Sequence, residues 1–390
     1  MKDRLWFGSA FTLCFQWIAI HLSGIHLEPH WEALSAGIGI FGAASLLSWA
    51  AELAQFDIPQ SLAIAFLALV AVLPEYAVDM YFAWQAGKDP SYTPYALANM
   101  TGANRLLIGV GWAAVVFTYW LKTRRRSFAL EPERRTEILY LGIATLYSFT
   151  IPWKGRLDLV DAAVFVTIFI VYMKKAAASD HVEPELEGPA QIIASWGESR
   201  RRAMTIMLFL YSGFTIFIAA EPFAESLLKT GRLWGIEEFI LVQWLAPLAS
   251  ESPEFIVAII FALKANPGAS MGTLLSSKVN QWTLLVGMLP IAYMISAGSF
   301  EPMHMDHRQN DELLLTAAQS LLATVMLANM EFSLLEAAGL FVLFAAQLLS
   351  SDPRFHMYYS FIYIGLAAGL FLFRRSTRTS LRQLVDRKTR

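Results

Sequence analysis

Stretches of roughly 20 mostly apolar residues, the length a helix needs to cross a bilayer, follow one another along nearly the whole chain. They fall near residues 5–23, 32–53, 58–86, 92–121, 136–152, 157–173, 203–228, 236–263, 269–297, 312–329, 333–350 and 355–373. Several exceed 25 residues, which implies tilt or a break within the span. Composition agrees: of 390 residues, 56% are apolar and only 16% charged, where soluble chains carry roughly a quarter. The expectation is an all-α integral membrane protein with about 12 transmembrane helices. The first segment follows Met1-Lys2-Asp3-Arg4 without a clear small-x-small cleavage site, and is taken as a retained helix rather than a signal peptide. Cys14 is the single cysteine, so no intrachain disulfide can form. No Cys/His cluster suggests structural zinc, and no P-loop suggests ATP.

Lys and Arg set the orientation. They cluster at Lys122 to Arg126 with Arg134 and Arg135, at Lys174 and Lys175, at Arg200 to Arg202, and from Arg374 to Arg390. Threading twelve helices brings these, with Lys2 and Arg4, to one side, and leaves Lys88, Lys154, Arg156 and Arg308 on the other. The positive-inside rule then makes both termini cytoplasmic in a multi-pass cell-membrane protein. The longest hydrophilic interruption, 176–202, divides the chain as a cytoplasmic linker.

The two halves repeat. Pro74-Glu75-Tyr76-Ala77-Val78 matches Pro253-Glu254-Phe255-Ile256-Val257, and the match resumes at Phe82-Ala83 and Phe261-Ala262. Each copy leads through a turn near Pro90 or Pro267 into a polar helix start, Asn99-Met100-Thr101-Gly102-Ala103-Asn104 or Thr273-Leu274-Leu275-Ser276-Ser277-Lys278. Helix counting makes the copies antiparallel, the inverted-repeat arrangement of secondary transporters. The expected layout is an extra helix in 1–31, a five-helix repeat in 32–175, the linker 176–202, a second five-helix repeat in 203–350, and an extra helix with a basic tail in 351–390.

Glu75 and Glu254 fall near mid-span, where a carboxylate costs several kcal/mol unless paired, protonated or cation-bound. Each follows a proline, which tends to break a helix and free carbonyl oxygens; hard cations seek many oxygens. Asp79 and Glu251 stand one turn away on the same helix faces. Asn99, Thr101, Asn104, Thr273, Ser276 and Ser277 offer neutral oxygens, as ion ligands or as interhelical hydrogen-bonders. Lys278 and Arg105 are basic residues deep in their spans, and the acids could instead serve to neutralise them. Glu52, Glu221 and Glu225 lie toward helix ends, where water reaches. His26, His30, His304 and His307 with Asp306 lie in outer loops, and would form a surface metal site only if those loops met.

These motifs resemble the alpha repeats of the calcium/cation antiporter superfamily, which includes the sodium/calcium exchangers. The family pattern is Gly-Thr-Ser-Leu-Pro-Glu, followed about two dozen residues later by Gly-Asn-x-x-Gly-Ser-Asn. Leu73-Pro74-Glu75 and Ala98-Asn99-Met100-Thr101-Gly102-Ala103-Asn104 match in one half; Ser250, Pro253, Glu254, Gly272 and Ser277 match in the other. The resemblance covers roughly 32–350 and implies a ten-helix core. It implies that Glu75 and Glu254 hold Ca²⁺, with Asn99, Asn104, Ser250 and Ser277 as auxiliary ligands; Asp79 and Glu251, one turn away, are further candidate cation ligands by their placement alone. It also implies alternating access by sliding of the helices near 32–53 and 203–228. The departures are Ala71-Val72 in place of Thr-Ser, Glu251 in place of Ser, Lys278 in place of the final Asn, and Arg105 after Asn104. Lys278 and Arg105 are expected in charge compensation or coupling. Lost hydroxyls weaken sodium binding, and clustered carboxylates can carry protons.

The expected function is a secondary active cation antiporter exchanging Ca²⁺ for Na⁺ or H⁺, with no cofactor and with the bilayer and inorganic cations as its partners. The alternatives are a monovalent Na⁺/H⁺ antiporter and an ion channel. A membrane peptidase fits worst: there is no HExxH motif, and no histidine shares the depth of the glutamates. Nothing points to nucleic acid.

Overall fold

A computed structural model describes residues 2–57, 72–177, 186, 188–350 and 352–374. Ala71 and the first half of the expected 58–86 span lie outside the described residues, as do much of the linker and the basic tail. The helices are α1 Lys2–Ser23, α2 Pro29–Ala54, α3 Leu73–Lys88, α4 Thr93–Leu106, α5 Ala113–Thr123, α6 Arg134–Ser148, α7 Thr150–Lys154 and α8 Leu159–Ala176. After the linker come α9 Pro189–Ala194, α10 Glu198–Trp234, α11 Glu238–Leu263, α12 Pro267–Asn280, α13 Val286–Ala297, α14 His307–Leu327, α15 Leu334–Gln347 and α16 Pro353–Phe373.

Among the described residues, seven helical rods are long and apolar enough to cross a membrane, α4–α5 and α12–α13 each counting as one continuous rod. Several expected spans are not among them, and α14 shows why. Its buried side includes Glu312, Thr316, Gln319 and Ser320. Hydropathy weighs a lipid-facing surface, and these side chains face protein instead.

α11 corrects one expectation: it runs without a break through Pro247 and Pro253. Each proline lacks an N–H, so the carbonyls of Gln243 and Ala249, four residues earlier, lose their helical donors while neighbouring bonds hold the rod together. Pro74 sits in the first turn of α3, where the missing donor costs nothing. The real irregularities lie farther on. A π-turn at Leu107–Trp112 joins α4 to α5, and another at Gln281–Leu285 joins α12 to α13. Both follow the polar motif of their half directly, and such wide turns concentrate at functional sites.

The halves interlock. α4 of the first packs on α11 of the second, and α13 of the second packs on α3 of the first. α2 and α10, which open the two expected repeats, lie against each other along their length. The outer helices dock at the flanks, α1 on α2 and α16 on α14. Two short antiparallel ladders tie the loops across the halves. β1 (Ser127–Ala129) pairs with β4 (Glu331–Ser333), and β2 (Arg156–Leu157) pairs with β3 (Met303–His304). Beyond the end of α2, Asp57 bonds Arg201 and Arg202 of α10 at 2.9 Å each. The Arg201 hydrogen bond, with Arg202 beside it, holds that carboxyl below the usual carboxylate range.

Gly102 sets the closest approach in the core. A Cβ at this position would fall onto the Gln243 carbonyl, the one freed by Pro247. Backbone cannot swing aside as a side chain does, so Gly102→Ala should cost about 3 kcal/mol or more, the upper end for overpacking. Thermal unfolding in detergent should register the loss, with Gly213→Ala in α10 as a silent control because nothing lies within 4 Å of its Cβ position.

Candidate functional site

The crossing of α3 and α11 brings Glu75 and Glu254 within electrostatic reach of each other. Both are buried, with relative exposures of 1% and 9%. None of their four carboxylate oxygens has a hydrogen-bond partner among the described residues. The Ser250 hydroxyl approaches Glu75 and the Ser277 hydroxyl approaches Glu254, short of good bonding geometry. Ser250 instead donates to the Ala246 and Pro247 carbonyls at 3.3 Å. The set is oxygen-only and anionic, which suits a hard divalent cation or protons. Left without either, two unpaired buried carboxylates would be strongly destabilising.

Asp79 and Glu251 flank this pair without merging into it. No three His, Cys, Asp or Glu side chains among the described residues are gathered closely enough to hold a metal. Asp79 Oδ1 accepts from Asn99 Nδ2 at 2.9 Å, and Glu251 Oε1 accepts from Gln281 Nε2 at 3.1 Å. Each keeps one buried oxygen without a partner, and so does the Asn99 amide. The neutral residues separate by what they already bond. Thr101 and Thr273 bond backwards to carbonyls of their own helices, and Ser276 meets the Tyr172 hydroxyl at 3.4 Å. Asn99, Ser250 and Ser277 remain beside the carboxylates.

The two basic residues bond elsewhere than to the central acids, which removes the alternative in which Glu75 and Glu254 serve to neutralise them. Arg105 forms a buried ion pair with Glu312 of α14 and stacks over Trp244 at 5.1 Å. Gln243 donates to the same Glu312 oxygen at 2.9 Å, and His356 Nδ1 of α16 meets its other oxygen at 2.8 Å. Lys278 bonds no acid among the described residues. Its Nζ donates to Asn104 Oδ1 at 2.6 Å and to the Asn104 carbonyl at 3.3 Å. Asn104, expected as an auxiliary ion ligand, thus has its amide oxygen turned to the lysine.

The sequence model for sodium/calcium exchanger proteins matches residues 30–174 and 204–351. The crystal structure of the H⁺/Ca²⁺ exchanger CAX superposes with a TM-score of 0.94 at 43% identity, covering 99% of this chain and 98% of that one. The chain belongs to the sodium/calcium exchanger family. With that, it is a member of the calcium/cation antiporter superfamily and a multi-pass membrane protein. Two more distant exchangers share the fold. The Ca²⁺/H⁺ antiporter YfkE has a TM-score of 0.65 at 14% identity, with 95% of this chain and 100% of that one covered. The sodium-calcium exchanger NCX_Mj has 0.55 at 15%, with 83% and 98% covered. Among curated proteins the chain has no match.

Several polar residues of this family member were not legible as part of the site. Gln281 sits in an apolar stretch, and only the π-turn aims it at Glu251. Glu312 follows His307-Arg308-Gln309-Asn310-Asp311, a run that looks like a wet helix start, yet it is 1% exposed. Glu225, expected at a watery helix end, accepts from the Tyr81 and Tyr92 hydroxyls at 2.9 and 2.8 Å. It lines a groove of about 660 Å³ with Glu32, Glu221 and Lys229, along the face of α3 that carries Ala77, Met80, Tyr81 and Trp84, opposite the face that carries Glu75. The outer histidines do not gather: His30 packs against Trp31 and Trp234, and His304 pairs in β3 with Arg156.

Removing one member of a buried ion pair typically costs 3–5 kcal/mol, whereas replacing both with apolar groups is often close to neutral. Glu312→Leu or Arg105→Met alone should therefore lower the thermal midpoint sharply. The double variant should recover most of the loss in the same detergent melt.

Proposed function

We propose that the protein is a secondary active antiporter of the cell membrane that moves Ca²⁺ against H⁺ by alternating access. The observation that carries this reading is the Glu75–Glu254 pair: two buried carboxylates, one from each half, with no hydrogen-bond donor on any oxygen among the described residues. Such a pair needs compensating positive charge at every stage of a cycle. Ca²⁺ supplies two charges at once; protons supply them one at a time. A conformational change with the pair bare would be prohibitively costly, so release of one ion waits on arrival of the other. That requirement is what makes the flux an exchange rather than a leak.

H⁺ is favoured over Na⁺ as the driving ion by the residues at the site. Glu251 stands where the motif has Ser, and the hydroxyls of Thr101 and Thr273 are spent on their own helices. The 43% identity to an H⁺/Ca²⁺ exchanger points the same way. Asn99, Ser250, Ser277 and the carbonyl freed by Pro253 would complete the Ca²⁺ shell, with Asp79 and Glu251 as flanking acids.

The layout behind this reading is two inverted five-helix repeats, with α1 and α16 added outside and both termini cytoplasmic. The strand ties support it. Threading puts the loops of β1 and β4 on the cytoplasmic side and those of β2 and β3 on the outer side. An inverted repeat relates the β1 loop to that of β3 and the β2 loop to that of β4, so it carries one ladder onto the other.

Radioactive Ca²⁺ uptake into liposomes holding the purified protein tests the proposal. An outward H⁺ gradient should drive uptake, and Glu75→Gln or Glu254→Gln should abolish it in protein that still melts cooperatively. Uptake that follows only a Na⁺ gradient would reassign the driver. Folded protein that moves Na⁺ against H⁺ but never Ca²⁺ would make it a monovalent exchanger.

A further inference from the structure

The polar motifs of the two halves end on different residues at equivalent positions, Asn104 in one and Lys278 in the other. The structure puts these two residues in contact. Lys278 is fully buried, and its Nζ lies 2.6 Å from Asn104 Oδ1 and 3.3 Å from the Asn104 carbonyl oxygen. The Trp282 ring covers another side, its centroid 4.5 Å from Nζ. Two carbonyl-type oxygens and an aromatic face, with no carboxylate in bonding contact, form a cradle for a single positive charge. Glu251 is the acid within electrostatic range.

We infer that Lys278 is a specificity-determining residue: a covalently tethered monovalent cation that permanently fills a site formed where the two halves meet, and so makes Ca²⁺ exchange indifferent to Na⁺ and K⁺. A charge of one held by neutral oxygens is what a dehydrated alkali ion seeks, and the ammonium offers the same charge without dissociating. Being tethered, it never leaves with the substrate. The converse follows. Shortening the side chain to a carbonyl-bearing one releases both Asn104 oxygens and adds a third, which turns the cradle into a site for a free monovalent ion. Placing a thioether there fills the space without adding an oxygen.

This inference rests on the Ca²⁺/H⁺ reading for its transport consequence but not for its binding consequence, and the test separates the two. Wild type, Lys278→Asn, Lys278→Gln and Lys278→Met would be compared as full-length protein in choline, Na⁺ and K⁺ at equal ionic strength. Thermal melts read binding directly, since a ligand that binds only the folded state raises the midpoint. Na⁺ or K⁺ should raise it for Lys278→Asn or Lys278→Gln, and leave wild type and Lys278→Met unmoved. In H⁺-driven Ca²⁺ uptake, the same ion should shift the half-saturating Ca²⁺ of the amide variants by roughly fivefold or more, the lower end of couplings between linked sites. Two amide variants are made so that loss of the fold in one leaves the other. Folded amide variants that respond to neither ion would overturn the inference. So would a wild type that already responds, or a Lys278→Met protein that responds as strongly, because charge loss alone would then account for the effect. Absence of any H⁺-driven Ca²⁺ uptake in wild type would count against the proposed function, while the melts would still decide the inference.

Discussion

Taking two carboxylates out of water costs several kcal/mol each, and Glu75 and Glu254 recover none of it through hydrogen bonds. Everything around them is arranged to hold that unsatisfied pair in place. α3 and α11 carry the two acids, and each is gripped by a helix of the opposite half. Gly102 lets α4 press against the backbone of α11 at the carbonyl Pro247 leaves free. Side chains with donors to spare, Asn99 and Gln281, are turned to the flanking acids Asp79 and Glu251 instead. The pair itself is left without a donor among the described residues.

Two kinds of buried charge coexist here, and they are treated in opposite ways. Glu312 is saturated by Arg105, Gln243 and His356, drawn from α4, α11 and α16. A carboxylate bonded from three helices has no reason to exchange protons or ions, and it pins the added C-terminal helix to the core. The central glutamates have no hydrogen-bond partner among the described residues. The contrast separates scaffold from site more sharply than burial does, since all three acids are buried.

The class of fold and the burial of Glu75 and Glu254 were legible because they rest on local patterns. Apolar run length marks the membrane helices, and a duplicated Pro-Glu marks the two acids that α3 and α11 bring together. The family assignment followed from the same short motifs. What escaped was whatever depends on which side chain reaches which across the core. Arg105 and Glu312 are far apart in sequence and neither sits in a shared motif, so nothing local marks them as partners. Asn104 matches an ion-binding pattern residue by residue, yet its amide oxygen is claimed by a lysine on another helix. Pro253 read as a helix break, but one missing donor does not stop a long buried rod whose other bonds survive.

The separation of Arg105 from Glu312 has a consequence for biosynthesis. The arginine is made 207 residues ahead of its carboxylate partner, an interval of roughly 10 to 40 s at ordinary rates of translation. Throughout that interval α4 carries an unpaired guanidinium, and for most of it, until α11 is made, α3 carries Glu75 without Glu254 beside it. The first half therefore has every reason to linger at the insertion machinery, or beside its water-filled interior, until the second half arrives. The order in which buried charges emerge from the ribosome thus bears on assembly alongside the hydrophobicity of the spans.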